Sequence, residues 1–408
     1  MDLCPASLPP ATFVAHAGPY GGVVTHLNHF SSALVRLLRI EKIFFFSSVD
    51  ITLNADSTLP SPIVEPELNS LRALKYWPRQ FLVPLNFLYE LWIGINHIRS
   101  FWGRNLVISS HDPNAFWGFV FLSARADYLL HVLPDVVAPE QNRAGLIKRT
   151  AIKFWRFFIS RMVRQRIARN KLRLFVPSNH SAAIWATYLQ ITISNIRTIP
   201  SPSFITRQCK EIIEDSQESN PAATYIAELA ARGMRIVLSV GHLESYKNPR
   251  KWLELAKFAL EIDDGLVFVW AGGGSLYEEI KESAADFSRI YLPGRLNQQD
   301  IQRLYQISWI FFHPSNKESQ GIVVMDALAF GLPVVLNNCE SLPELIRGTD
   351  SGFTLDCNAP EARAQFSSIL ELLRDNARYR NMSKSALAVV DERYSYEKWL
   401  NDLQSLYH

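Results

Sequence analysis

Cysteine is scarce in this chain of 408 residues: Cys4, Cys209, Cys339 and Cys357 are scattered, and no C-x-x-C pair occurs. That scarcity excludes a disulfide framework and a cysteine-built zinc site, and it fits a reducing compartment. Long hydrophobic runs are missing too. The most apolar window, Phe81 to Ile98, is broken by Pro84, Asn86, Glu90 and Asn96, so it fails as a membrane span while still able to lie on a membrane surface. The opening MDLCPASLPPATF has neither a basic start nor a following apolar stretch. No signal peptide is therefore expected, and the expected location is cytoplasmic, with the cytoplasmic face of a membrane as the variant. Acidic residues are absent from Gln141 through Lys210, where fourteen basic residues stand. Over residues 1–210, 23 lysines and arginines face 11 aspartates and glutamates; the remainder holds 19 against 28. The halves have opposite sign, and the basic one suits an anionic surface or substrate.

What is present is core material. Hydrophobic residues make up 48% and charged ones 20%, the profile of a globular protein, and the length suggests two domains of about 200 residues each. In the first half, short apolar runs at Phe13–Ala15, Lys42–Ser47, Leu106–Ser110, Tyr128–Leu133 and Leu174–Pro177 alternate with helical patterns. The second half repeats that alternation, with strands expected at 235–240, 266–271, 289–292, 309–313 and 333–337 and helices such as 250–262 and 298–307. Both halves read as doubly wound parallel α/β sheets. Between them, a polar, proline-containing stretch from about Ser201 to Ala223 reads as the linker.

Helical spacing puts Arg149, Lys153, Arg156 and Arg164 on one face, and Ile147, Ala151, Phe154, Trp155, Phe158 and Met162 on another, the pattern of a basic amphipathic helix. An ordinary helix packing its apolar stripe on a sheet reads this way, as does one held on anionic lipid headgroups.

One buried segment stands apart. Glu318–Leu336 reads ESQGIVVMDALAFGLPVVL, in which the sixteen residues from Gly321 carry a single charge, Asp326. A buried carboxylate needs a polar partner or loses its charge, so Asp326 is expected to face a cleft. Glu318 precedes a helix start at Gly321, where free backbone N–H groups would favour an anion. A loop glutamate, with a helix aspartate paired to an arginine, would produce the same string.

With Gly321, Ala327, Ala329, Gly331, Pro333, Val334 and Val335 in place, the segment resembles the signature of family 4 glycosyltransferases, with aspartate where the second glutamate stands. The resemblance implies the GT-B fold, two doubly wound Rossmann-like domains facing across a cleft. It also implies an N-terminal acceptor domain at residues 1–205, a nucleotide-sugar domain at 206–394, and a final helix at 395–408 crossing back. The implied activity is a retaining transfer from a nucleotide-diphosphate sugar to an acceptor hydroxyl, without metal or other cofactor. The acceptor is a glycan or lipid-linked saccharide of cell-surface polysaccharide synthesis.

By that resemblance Lys247 and His242 hold the donor diphosphate, where the family has a lysine and an arginine, and Glu318 binds the sugar. Donor contacts fall on Gly21, Gly22, Gly294, Arg295, Leu296, Ser319, Gln320, Gly321, Ile322 and Asp326, the last at the ribose. His111, Asp112 and His131 contact acceptor or sugar, since Pro134 stands where the family has a histidine. Other readings keep a place: a catalytically silent partner subunit, or another enzyme of this fold such as a nucleotide-sugar epimerase. Nucleic acid is not expected as a partner, because no recognised binding module is visible.

Overall fold

The computed structural model describes residues 11–17, 40–47, 87–88, 91–92, 95–96, 101–110, 116–131, 133–134, 146–203 and 220–405. Two compact units divide the chain, one of residues 1–200 with 402–408 and one of residues 201–401.

In the first unit the strands are β1 (Ala11–Ala17), β2 (Ile40–Ser47), β3 (Asn105–Ser110), β4 (Arg125–Leu130), β5 (Leu172–Val176) and β6 (Ile196–Thr198). They form one sheet in the order β2-β1-β3-β4-β5-β6, every pairing parallel. Its described helices are α1 (Trp117–Leu122), α2 (Leu146–Ala168) and α3 (Asn179–Leu189), the last capped by the Ser178 hydroxyl on the N–H of Ser181. The core gathers Ile108, Trp117, Phe119, Tyr128, Val163, Leu174 and Trp185.

α2 presents its inner stripe to that core: Ile159, Met162 and Val163 are buried, and Trp155 and Phe158 pack against them. The expected basic face is not free. Arg156 donates to the carbonyls of Tyr188 (2.8 Å) and Thr187 (3.0 Å), and Arg164 to that of Gln190 (3.5 Å). Both cations thus satisfy carbonyls at the C-terminal end of α3, where the helix dipole favours positive charge. Lys153, Phe154, Phe157 and Arg161 remain exposed on the outer face. Among the described residues no helix is long and apolar enough to cross a membrane.

The second unit opens with Ser201–Ser203, which the sequence assigned to the linker but which are bound within this unit. The Gln320 side-chain amide pairs with both the N–H (2.9 Å) and the carbonyl (3.0 Å) of Ser201, and the N–H of Ser203 reaches the Tyr394 carbonyl at 2.9 Å. Then come α4 (Pro221–Ala231), capped by Asn220, β7 (Arg235–Val240), α5 (Pro249–Ile262), β8 (Leu266–Ala271), α6 (Tyr277–Ser283) and β9 (Ile290–Gly294). Next are α7 (Gln298–Ile307), β10 (Ile310–His313), α8 (Ile322–Ala329), β11 (Val334–Asn337), α9 (Leu342–Ile346) and β12 (Gly352–Leu355), which the sequence reading did not foresee. α10 (Ala362–Leu372), α11 (Asn376–Val389) and α12 (Tyr396–Ser405) complete the described chain.

The second sheet runs β12-β11-β10-β7-β8-β9, again all parallel. The order reverses between β7 and β10, which are neighbours. In such sheets ligands gather at the carboxyl ends of the strands on either side of that reversal.

α8 shows how the buried segment folds. Its residues IVVMDALA are almost all apolar, and the helix lies between the sheet and α11 with Val324, Met325, Ala327 and Leu328 fully buried. Gly331 ends it: its N–H bonds the Leu328 carbonyl (2.9 Å) and the N–H of Leu332 the Ala327 carbonyl (3.1 Å), a Schellman closure with Pro333 just beyond.

Candidate active site

Two strand ends define the site. β7 leads through Gly241 and His242 to the short 3-10 turn Ser245–Lys247, while β10 ends on His313 and leads to Glu318. Because β7 and β10 are paired, these loops meet, and the Lys247 ammonium bonds the Glu318 carboxylate. His313 Nε2 lies 3.1 Å from the same carboxylate oxygen. Burial alone would raise the pKa of Glu318; the Lys247 charge and the His313 hydrogen bond outweigh it and hold the pKa at about 2. Its side chain is 14% exposed, so a fixed anion stands at the mouth of the loop.

His313 is only 3% exposed, and its pKa is lowered chiefly by that burial, with the bond to Glu318 working the other way. Its neutral ring donates Nε2–H to the carboxylate. Sequence reading missed His313, although a polar residue closing the apolar strand IFFH five positions before Glu318 was a usable signal.

His242 also has a lowered pKa: burial dominates, a hydrogen bond to Gly273 opposes it, and the charges of Arg295 and Lys247 add to the lowering. Its imidazole is neutral at pH 7, and the charges of Lys247 and Arg295 stand beside it. The glycine turn after β8 packs tightly against this loop. A Cβ on Gly272 would lie 1.9 Å from the Gly241 carbonyl oxygen and one on Gly274 2.6 Å from that of Leu243, so no side chain fits at either position. Glu244 binds the same turn, accepting from the N–H (2.8 Å) and hydroxyl (2.6 Å) of Ser275.

Gly321 precedes α8 and offers no side chain to cap it, so the first-turn N–H groups have no side-chain acceptor there. Ile322 and Leu296 are both partly buried and pack against the same core of the second unit. Gln320 is 4% exposed, and its side chain is committed to Ser201, leaving only its backbone for a ligand. Asp326, on α8, meets neither arginine nor lysine among the described contacts: the Ser203 hydroxyl donates to it at 3.0 Å. Burial pushes its pKa up to about 7, with the Ser203 bond lowering it only in part. Ser203, from the supposed linker, was not foreseen.

His131 belongs to the first unit, just past β4, with Nε2 2.9 Å from the Ser109 hydroxyl at the carboxyl edge of that sheet. Pro134 is buried. Gly21, Gly22, His111 and Asp112 lie outside the described residues.

Two Rossmann-like units with parallel sheets constitute the GT-B fold of glycosyltransferases. The crystal structure of Anabaena HepE in complex with UDP-glucose shares it, with a TM-score of 0.64 over 97% of this chain and 98% of that one at 14% identity. Residues 224–388 match the family model of glycosyl transferases group 1. The chain is similar to N-acetyl-alpha-D-glucosaminyl L-malate synthase of Bacillus anthracis, 25% identical over 178 residues, which are 43% of this chain and 45% of the relative. It is also similar to UDP-Gal:alpha-D-GlcNAc-diphosphoundecaprenol alpha-1,3-galactosyltransferase of Escherichia coli, 27% identical over 183 residues, 43% of this chain and 46% of the relative. The chain spans about half the length of these curated relatives.

Proposed function

We propose that this chain is a retaining glycosyltransferase of family 4 type, moving a sugar from a nucleotide-diphosphate donor to an acceptor hydroxyl. The observation that carries the reading is the Lys247–Glu318 pair at the sheet's reversal point, beside His242, Arg295 and an uncapped helix N-terminus. The arriving diphosphate takes Lys247 from Glu318, and the α8 N–H groups share the charge that grows on the leaving group. A neutral His242 becomes a better partner once that dianion raises its pKa. Glu318, ionised at every physiological pH, is left to bind hydroxyls of the donor sugar. Asp326 takes the ribose hydroxyls in exchange for Ser203. None of these steps calls on a metal.

The test is the melting temperature of the purified protein with UDP, GDP, ADP and their common sugar conjugates. One nucleotide series is expected to stabilise the fold, by about 2.7 kcal/mol at a hundred times its dissociation constant. Indifference to all of them would leave a silent partner subunit as the better reading.

A lipid-linked acceptor is supported by the outer surface of the first unit. Leu88, Trp92 and Ile95 follow helical spacing and are 57%, 59% and 56% exposed, and Phe121, Phe154 and Phe157 are 49%, 71% and 54% exposed. Phe87 joins these segments, its ring 6.0 Å from Phe121, 5.3 Å from Trp155 and 5.5 Å from Phe158. Exposed aromatics flanked by Lys153 and Arg161 suit the headgroup region of an anionic bilayer. Cosedimentation with phosphatidylglycerol vesicles is expected, with weak binding to phosphatidylcholine. Trp92→Ser with Phe154→Ser should reduce it by about tenfold or more. Equal binding of the variant would remove this surface from the reading.

A further inference from the structure

Glu318 is held from a second direction by a turn that neither motif nor family match brings forward. After β11 the chain leaves the sheet at Asn337 and reaches α9 through residues 338–341. Within that turn Glu340 has φ 48°, the left-handed region that a side chain with a Cβ rarely occupies. The Glu340 carboxylate accepts the backbone N–H of Glu318 at 2.5 Å. Its neighbour Ser341, 1% exposed, donates its hydroxyl to the carbonyl of Glu318 at 2.7 Å. Cys339, on the other side, directs its thiol to the Ser315 carbonyl at 2.9 Å. Three consecutive residues therefore clasp the loop 315–318, and two of them take both polar groups of the Glu318 backbone.

A residue whose N–H and C=O are both fixed has little freedom in φ and ψ, so its Cα–Cβ bond points in one direction. Among the described residues the side chain of Glu318 is held by Lys247 and His313, and the first of these partners is the one a diphosphate would take. Donor binding would then leave the carboxylate on the single bond from His313 at the moment it must face the sugar. The clasp supplies a second restraint and does not depend on the donor.

We infer that Glu340 is a positioning residue: through the N–H of Glu318 it keeps that carboxylate aimed at the donor sugar after Lys247 has turned to the diphosphate. This rests on the reading of Glu318 as a sugar-binding residue. It accounts for an acid in a left-handed turn, since glycine would relieve the backbone but offer no acceptor.

The experiment compares Glu340→Gln, Glu340→Ala and Glu340→Gly in the full chain, following the Glu318 amide resonance, donor affinity, kcat and KM. Glutamine keeps an acceptor oxygen and is expected within about threefold of the parent kcat, with the Glu318 amide little moved. Alanine and glycine are both expected to lower kcat by about 30- to 100-fold, since small misplacements are that damaging, with donor affinity within about twofold. In both, the Glu318 amide should shift upfield as its side-chain acceptor is lost. Full kcat in Glu340→Gly would overturn the inference, as would an unmoved amide. So would a melting temperature depressed alike in the alanine and glycine variants with kcat per folded molecule preserved, which would make the clasp a folding latch. A parent protein that binds no nucleotide sugar would sink the glycosyltransferase reading instead, and the amide resonance would still report whether Glu340 holds Glu318.

Discussion

Lys247→Ala is expected to lose both stability and transfer, and the two losses separate by a double variant. In the parent, the ion pair holds the Glu318 carboxyl at about 2 against an ordinary value of 4.5. That depressed value contributes stability that is fully present above pH 4.5 and lost as pH falls towards 2. Removing the lysine leaves a carboxylate of 14% exposure beside a neutral histidine, a change that typically costs about 3 kcal/mol or more. Glu318 then titrates at higher pH, and loss of the Lys247 charge lets the pKa of His313 rise. The acid limb of the stability curve should flatten accordingly in urea titrations from pH 3 to 7, a range set by the linkage relation and roughly spanning the affected titration. Transfer should fall by about 10² to 10³, the usual effect of losing one preorganised charge at a leaving group. Lys247→Ala combined with Glu318→Ala should recover most of the stability and none of the activity. Recovery of neither would mean that the pair does not carry the fold energy assigned to it.

The second large effect has the opposite sign for stability. Asp326→Asn should stabilise the unliganded protein above neutral pH. Burial sets the folded pKa at about 7, well above the ordinary 3.8. Between those values the folded state keeps a proton that the unfolded chain has released, so stability falls as pH rises through this window. At about 1.4 kcal/mol per unit, the ionisable group withdraws on the order of 4 kcal/mol by pH 8. Asparagine keeps the acceptor for the Ser203 hydroxyl and removes the titration. The variant should therefore melt higher than the parent at pH 8, equal it near pH 4, and bind the donor about tenfold more weakly if the ribose reading holds. A parallel pH dependence in parent and variant would show that Asp326 is ionised in the fold.

Much of this site was legible because the chemistry and the folding signal coincide in one string. Glu318, Gly321, the apolar helix, Gly331 and Pro333 are each needed locally, by a turn, an N-terminus, a core face or a helix stop, so the string specifies its own shape. Lys247 was legible through the family resemblance, which places a lysine in the turn after this apolar strand. The strand positions of the second unit were equally readable, since buried parallel strands are continuous apolar runs. β12 was not, because Gly352–Leu355 is short and largely uncovered.

What escaped depends on long-range contact. Ser203 meets Asp326, and Glu340 meets Glu318, only after the sheet has formed, and no local pattern marks a serine or glutamate for that role. The basic face of α2 was legible only in part, for a related reason. Helical spacing groups Arg156 and Arg164, but the carbonyls that occupy them belong to α3, whose end is set by tertiary packing.

The pairing of β7 with β10 sets Val237 against Ile310, strands between which two other strands of the same sheet are made. Closing so long a segment is entropically slow, and sheets with such non-local pairings form late. His242 and Lys247 therefore emerge from synthesis well before His313 and Glu318, and spend that interval beside an open strand edge. A nucleotide that bridges both loops would act as a folding ligand during the same interval, trapping the register of the central strands once they meet.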